Sequence, residues 1–227
     1  SGSSNSDGSV TSTVSANTTA GFSICKFNPG GNVNMTFGHG LGVAPRLVIV
    51  KNLEDATNWQ VLHLDQGVGN KIFLNATNAA ASDANMWQNT APTSTVVSMG
   101  TAQTTNEDVI AYCFAEIPGY SKISSYEGNG NADGTFVNLG FRPAFILTKN
   151  IDTTDQWGIR DSARNPFNVT DKLLYPNANS AETSSSTGYI DILSNGFKAR
   201  SSDSNINSNT IIYYAVAESP FKTANAR

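Results

Sequence analysis

The chain has 227 residues and a formal net charge of −4, with no cluster of Lys and Arg, which excludes an electrostatic grip on nucleic acid because phosphate binding needs concentrated positive charge. Charged residues are only 14% against about 25% in an average soluble domain, and 26 Asn, 25 Ser and 22 Thr make up the difference, giving a surface that is hydrated without being strongly charged. No run reaches about 18 apolar residues, so no segment is expected to insert into a membrane.

In chain order, the opening Ser1-Gly2-Ser3-Ser4-Asn5-Ser6 lacks a starting Met and reads as an expression scar or a cut from a longer polypeptide. Residues 1–8 are therefore expected to be a tag or linker outside the fold, and no signal peptide is visible. Pro29-Gly30 marks a turn. Leu47-Val48-Ile49-Val50 follows a proline, is rich in branched side chains and predicts a buried strand. Residues 79–84 are Ala-rich and permit a helix, but they have no apolar face. The run from Val109 to Ala115 predicts a closing strand that sorts by parity. Ile110, Tyr112 and Phe114 point one way and are expected to enter a sandwich core; Ala111, Cys113 and Ala115 point the other way and suit close approach by another layer or subunit. Asn129-Gly130, Asp133-Gly134 and Asn195-Gly196 favour the positive backbone angles of tight hairpins, and Phe145-Ile146-Leu147-Thr148 predicts a second buried strand. No convincing apolar stripe at helical spacing runs longer than about two turns.

The two halves repeat each other. Gly21-Phe22-Ser23 recurs as Gly119-Tyr120-Ser121, Lys51-Asn52 as Lys149-Asn150 and Trp59 as Trp157, each 98 positions on. From Asn75-Ala76, which recurs as Asn177-Ala178, the offset is 102, and the run 109–118 matches 211–220 at the same offset. A growth of four residues is what a loop insertion produces, and insertions go where backbone meets water. The expectation is an all-β chain of two tandem homologous β-sandwich, jelly-roll-like domains, residues 9–118 and 119–227. Cys25 aligns with Ile123 and Cys113 with Ala215, so both thiols are expected to be reduced and buried.

Phe37-Gly38-His39-Gly40-Leu41-Gly42-Val43-Ala44-Pro45, followed by Val48-Ile49-Val50-Lys51-Asn52 and later Asn75-Ala76-Thr77, forms one motif set. Gly140-Phe141-Arg142-Pro143-Ala144-Phe145, the run 190–198 and the chain end from Ala217 to Arg227 add to it. Together, over roughly residues 9 to 227, these resemble a module of tail-fibre and other virion structural proteins of marine phages, including those of cyanobacteria. The resemblance implies a virion protein in a tail fibre or at its tip, located on the outside of the mature particle. It implies other virion proteins and a host cell-surface glycan or protein receptor as partners, and a homotrimer; the small face of Ala111, Cys113 and Ala115 would also suit close subunit packing. The alternatives are a polysaccharide-degrading tail enzyme and a head-decoration or head-fibre protein.

Catalytic chemistry is thinly represented. His39 and His63 are the two histidines and lack companion ligands, so neither metal nor cofactor is expected. Glu116, Glu218, Asp161, Asp191 and Asp133 are the carboxylates a glycosidase pair would draw on. Glu116 and Glu218 stand at the same place in both copies, which points to the fold, and the chain is expected not to be an enzyme. For ligand binding, Trp59 and Trp157 are shared by both copies and expected in the core. Trp87 lies in a polar stretch without a counterpart, either a contact ring or a loop anchor. The loop holding Asn129, Asn131 and Asp133 either offers amides and a carboxylate to a ligand or is a plain hairpin.

Overall fold

The computed structural model describes residues 2–100 and 106–220, so the part of the chain-end motif from residue 221 on lies outside the described residues. The architecture is nearly all β, built from several antiparallel sheets. The chain divides into two compact units: Ser1–Leu74 with Ala80–Glu116, and Asn75–Ala79 with Ile117–Arg227.

The first unit holds β1 (Ser3–Asn5), β2 (Ser12–Asn17), β3 (Phe22–Phe27), β4 (Met35–Gly38), β5 (Leu47–Asn52), β6 (Gln60–His63), β7 (Asn70–Phe73), β8 (Ala81–Ser82), β9 (Val96–Met99) and β10 (Val109–Phe114). Eight of these form one sheet in the order β1-β2-β3-β10-β5-β6-β7-β8, and β4 pairs with β9 separately. The expectation that residues 1–8 lie outside the fold is corrected: Ser3, Ser4 and Asn5 pair with Val14, Thr13 and Ser12 as an edge strand. A Cβ on Gly8 would also collide with the backbone of Thr36 and Phe37, so this segment is closely packed.

The parity of β10 is likewise corrected. Ala111, Cys113 and Ala115 face the core, while Ile110, Tyr112 and Phe114 are half-buried on the other face of the sheet. The reason is volume. Phe37 and Met35 of β4, Val97 and Met99 of β9, and Leu41 and Trp87 bring bulk from the opposite layer, and small side chains on the central strand leave room for it. The outer rings find other partners: Phe22 and Phe114 sit 4.9 Å apart, and Trp59 stacks on Tyr112 at 6.4 Å. Trp59 is therefore half-buried beside the sheet and not in the core.

The second unit holds β11 (Ser121–Asn129), β12 (Phe136–Asn138), β13 (Pro143–Asn150), β14 (Gly158–Asp161), β15 (Lys172–Leu173), β16 (Thr183–Ser184), β17 (Ile190–Leu193), β18 (Gly196–Ala199), a one-turn helix α1 (Ser204–Asn207) and β19 (Ser208–Ala217). Its sheets run β11-β19-β13-β14, β12-β18-β17 and β15-β16. Tyr126, Phe197 and Tyr213 meet edge to face at its centre with Ile146, Ile190, Ile192 and Ile211 around them, and Trp157 is buried as expected.

Strand registers in the two units correspond. Val48 pairs with Cys113 and Leu62, and Ile146 pairs with Ala215 and Arg160. Phe37 pairs with Val97, and Val137 with Phe197. One strand is shifted by a residue: Cys25 pairs with Ala111, but Ile123 pairs with Tyr214 and Ser124 with Tyr213. The alignment of Cys25 with Ile123 is thus displaced by one position in space.

The repeated Lys-Asn pair closes the same loop in both units. Lys51 Nζ donates to the carbonyls of Asn52 and Asp55 (2.6 and 2.7 Å), and Lys149 Nζ donates to those of Asn150 and Thr153 (2.6 and 3.4 Å). The Asn52 side-chain oxygen accepts the N–H groups of Glu54 and Asp55, and that of Asn150 accepts those of Asp152 and Thr153. At the place of Leu62 the second unit has Arg160, fully buried, whose guanidinium donates to Gly188 O (2.9 and 2.6 Å), Thr148 Oγ1 (3.1 Å) and Asn205 Oδ1 (3.2 Å). Burial pushes its pKa down to about 10.

Candidate functional site

Trp87 cannot serve as a contact ring. It is 0% exposed and among the largest side chains buried in the first unit. Gly100 N–H donates to Met86 O and puts Trp87 beside β9; in the second unit Arg200 N–H donates to Tyr189 O and puts Ile190, equally buried, beside β18. Trp87, like Ile190, is a buried core residue, and its polar sequence neighbours concealed this.

The hairpin carrying Asn129, Asn131 and Asp133 belongs to the second unit. Its amides are hydrogen-bonded within the loop and to the buried Asn207. Asn129 Nδ2 donates to Asp133 O (3.0 Å), and Asn129 Oδ1 accepts from Asn131 N–H (2.9 Å) and Asn207 Nδ2 (2.9 Å). Asn131 Nδ2 donates to Asn129 O (2.9 Å). Asn129 and Asn131 are thus engaged in shaping the turn. Asp133 differs: its carboxylate reaches Lys198 Nζ at 2.5 Å, and that hydrogen bond holds its pKa below the usual carboxylate range.

Lys198 leads to a surface that the sequence did not single out. In the three-stranded sheet Phe136, Lys198 and Asp191 pair directly across β12, β18 and β17, so all three lie on one face, away from Val137, Phe197 and Ile192 on the core face. Phe136 is 43% exposed, and Arg200 Nε meets Asp191 Oδ2 at 3.3 Å on this face.

The edge of the sheet is extended by the loop 165–170. Thr170 bridges to Ile190 with hydrogen bonds in both directions, and Asn168 bonds the backbone of Ile192 through both ends of its amide. At the loop's other end Asn165 Nδ2 donates to Asp171 and its oxygen accepts Lys172 N–H. Between these two anchors stand Pro166 and Phe167, and Phe167 is 82% exposed, the most exposed large apolar side chain among the described residues. A signal for it existed. The growth of the repeat offset from 98 to 102 falls between Trp157 and Asn177, the interval that contains this loop.

Of the other candidate carboxylates, Glu218 pairs with Arg142 at 3.0 Å and Asp161 with Arg164 at 2.6 Å. Among the described residues no group of His, Cys, Asp and Glu is arranged to hold a metal ion. His39 is buried, its Nε2 against Thr93 O (3.2 Å) and its Nδ1 accepting Leu41 N–H (3.2 Å), and burial lowers its pKa. His63 accepts Asp65 N–H (3.3 Å) at the start of a short turn.

Residues 1–220 match a family described as a domain of unknown function, DUF7483, and the chain belongs to that family. No curated protein and no solved structure matches it.

Proposed function

We propose that the chain is a non-enzymatic structural and recognition module of a bacteriophage virion, in a tail fibre or at its tip. Its motifs support the virion setting through their resemblance to marine phage fibre modules. The observation that carries the recognition role is Phe167, 82% exposed on a loop pinned by Asn165 and Asn168. A large apolar side chain on a loop whose backbone is anchored on both sides loses less freedom on binding than one on a mobile segment, as suits an anchor residue of an interface. In the same reading the two units are diverged copies of one β-sandwich module, jelly-roll-like in plan, and the corresponding registers of β5 with β10 and β13 with β19 support that descent.

Adsorption of particles carrying Phe167→Ala tests the role. A loss of adsorption with normal particle assembly is expected; unchanged adsorption rejects it. Sugar release from host envelopes that disappears on Asp191→Asn or Glu218→Gln would instead favour a polysaccharide-degrading enzyme. The assembled form is a homotrimer, to be measured by light scattering at micromolar concentration; a monomer rules it out.

A further inference from the structure

We infer that the outer face of the β12-β18-β17 sheet binds a neutral saccharide chain, an assignment that rests on the recognition reading and names its ligand class. Phe136, Lys198 and Asp191 form one row across the three strands, spanning about 10 Å at two inter-strand spacings. Asp133 and Arg200 are tied into the row by their ion pairs with Lys198 and Asp191. Val169, 43% exposed, follows on the edge loop between Asn168 and Thr170.

Charge selects the ligand. Two cations and two carboxylates balance on this face, so the row carries no net charge and offers neither an anionic nor a cationic ligand a net attraction. A neutral polyol needs none. Each ion pair engages one oxygen of its carboxylate, Oδ1 of Asp133 and Oδ2 of Asp191, which leaves the second oxygen to accept from hydroxyls. Arg200 pairs through Nε and keeps its two terminal nitrogens as donors. The ring of Phe136 supplies an apolar platform for the C–H face of a sugar, so the row combines stacking with convergent donors and acceptors. The loop around Phe167 lacks that combination, because the amides of Asn165 and Asn168 are spent on holding it.

The test is NMR of the backbone amides of the whole chain, titrated separately with glucose, galactose, mannose and N-acetylglucosamine up to high millimolar concentration. Shifts confined to residues 133–138, 191–193 and 196–200 are expected for at least one sugar. Phe136→Ala should weaken that binding about tenfold, the worth of one aromatic contact. Phe136→Leu, which keeps the apolar bulk without the ring, should do the same and serves if the Ala variant does not fold. Affinity should change less than about twofold between low and high salt, because no net charge is neutralised. No shift with any of the four sugars, shifts scattered over the surface, or a steep fall with salt overturns the assignment. Failure here with adsorption still dependent on Phe167 removes the saccharide class alone. Sugar shifts on this face with adsorption indifferent to Phe167 remove the anchor role alone.

Discussion

Asn168 pairs with Ile192 as a strand residue would, using its side chain: Nδ2 donates to Ile192 O at 3.0 Å and Oδ1 accepts Ile192 N–H at 2.9 Å. The sheet edge is thereby closed, and this amide joins Asn165 and Thr170 in anchoring the Phe167 loop. Asn168→Ala should cost about 1–2 kcal/mol, since the Ile192 N–H loses its partner at a part-buried site, while Ile192 O keeps the hydrogen bond from Arg142 Nη1. Hydrogen exchange at the Ile192 amide reads this directly. Exchange as slow as in the parent chain would show that the side chain does not hold the edge.

Trp87→Ala should destabilise the first unit by about 3–5 kcal/mol, the range for deleting a large buried aromatic. Trp87→Phe should cost less, because the indole N–H has no hydrogen-bond partner among the described residues and its removal strands nothing. Urea unfolding of the two variants measures both. Neither should change adsorption, and an adsorption defect in a stably folded Trp87→Phe protein would return this residue to the binding surface.

Cys25 and Cys113 should resist oxidation to a disulfide although their thiols are neighbours. Cys25 pairs with Ala111 and Cys113 with Ser23, so the two cysteines are diagonal across adjacent strands. Diagonal positions lie about 7–8 Å apart, beyond the Cα separations of about 4.4–6.8 Å that a disulfide spans. Burial also pushes the Cys113 thiol well up, away from the reactive thiolate. Thiol titration should give near zero in the native protein and near two after unfolding without reductant. Near zero in both states would mean a bond has formed.

Lys149 gives a pH dependence with a definite sign. It is buried, and burial lowers its pKa to about 8, with Asp155 partly opposing. The folded chain releases this proton near pH 8, whereas the unfolded chain holds it to about pH 10.4. Between these limits the unfolded state binds more protons, so the lysine's penalty on stability is full below pH 8 and is relieved as pH rises. The relief amounts to at most about 3 kcal/mol by pH 10. Burial raises the pKa of Tyr126 and of Tyr214, which acts in the opposite sense at high pH, so the comparison is with Lys149→Met at each pH. The difference in unfolding free energy between the two proteins should shift in favour of the parent chain from pH 8 to 10; a constant difference would contradict the shifted lysine.

Much of this fold is legible in the sequence. The apolar runs at 47–50, 109–114 and 145–148 are strands, and the Lys-Asn pairs that recur at 51 and 149 close equivalent loops. These features depend on local preference: branched residues favour strands, and an Asn side chain bonds its own loop two and three residues on. The side that each strand buries is a different matter. Alternation along β10 separates Tyr112 from Cys113, but only the bulk of Phe37, Met99 and Trp87 arriving from distant segments makes the small side the core. Trp87 has polar neighbours in sequence and apolar ones in space, Ile123 moves off its aligned place through a one-residue shift of register, and Ser3–Asn5 becomes a strand because β2 offers it an edge. The face of Phe136, Lys198 and Asp191 likewise exists only once β12, β18 and β17 are laid side by side. Periodicity tells a chain which residues share a side, and the volume and hydrogen-bonding groups brought by other segments decide which side meets the core and which meets water.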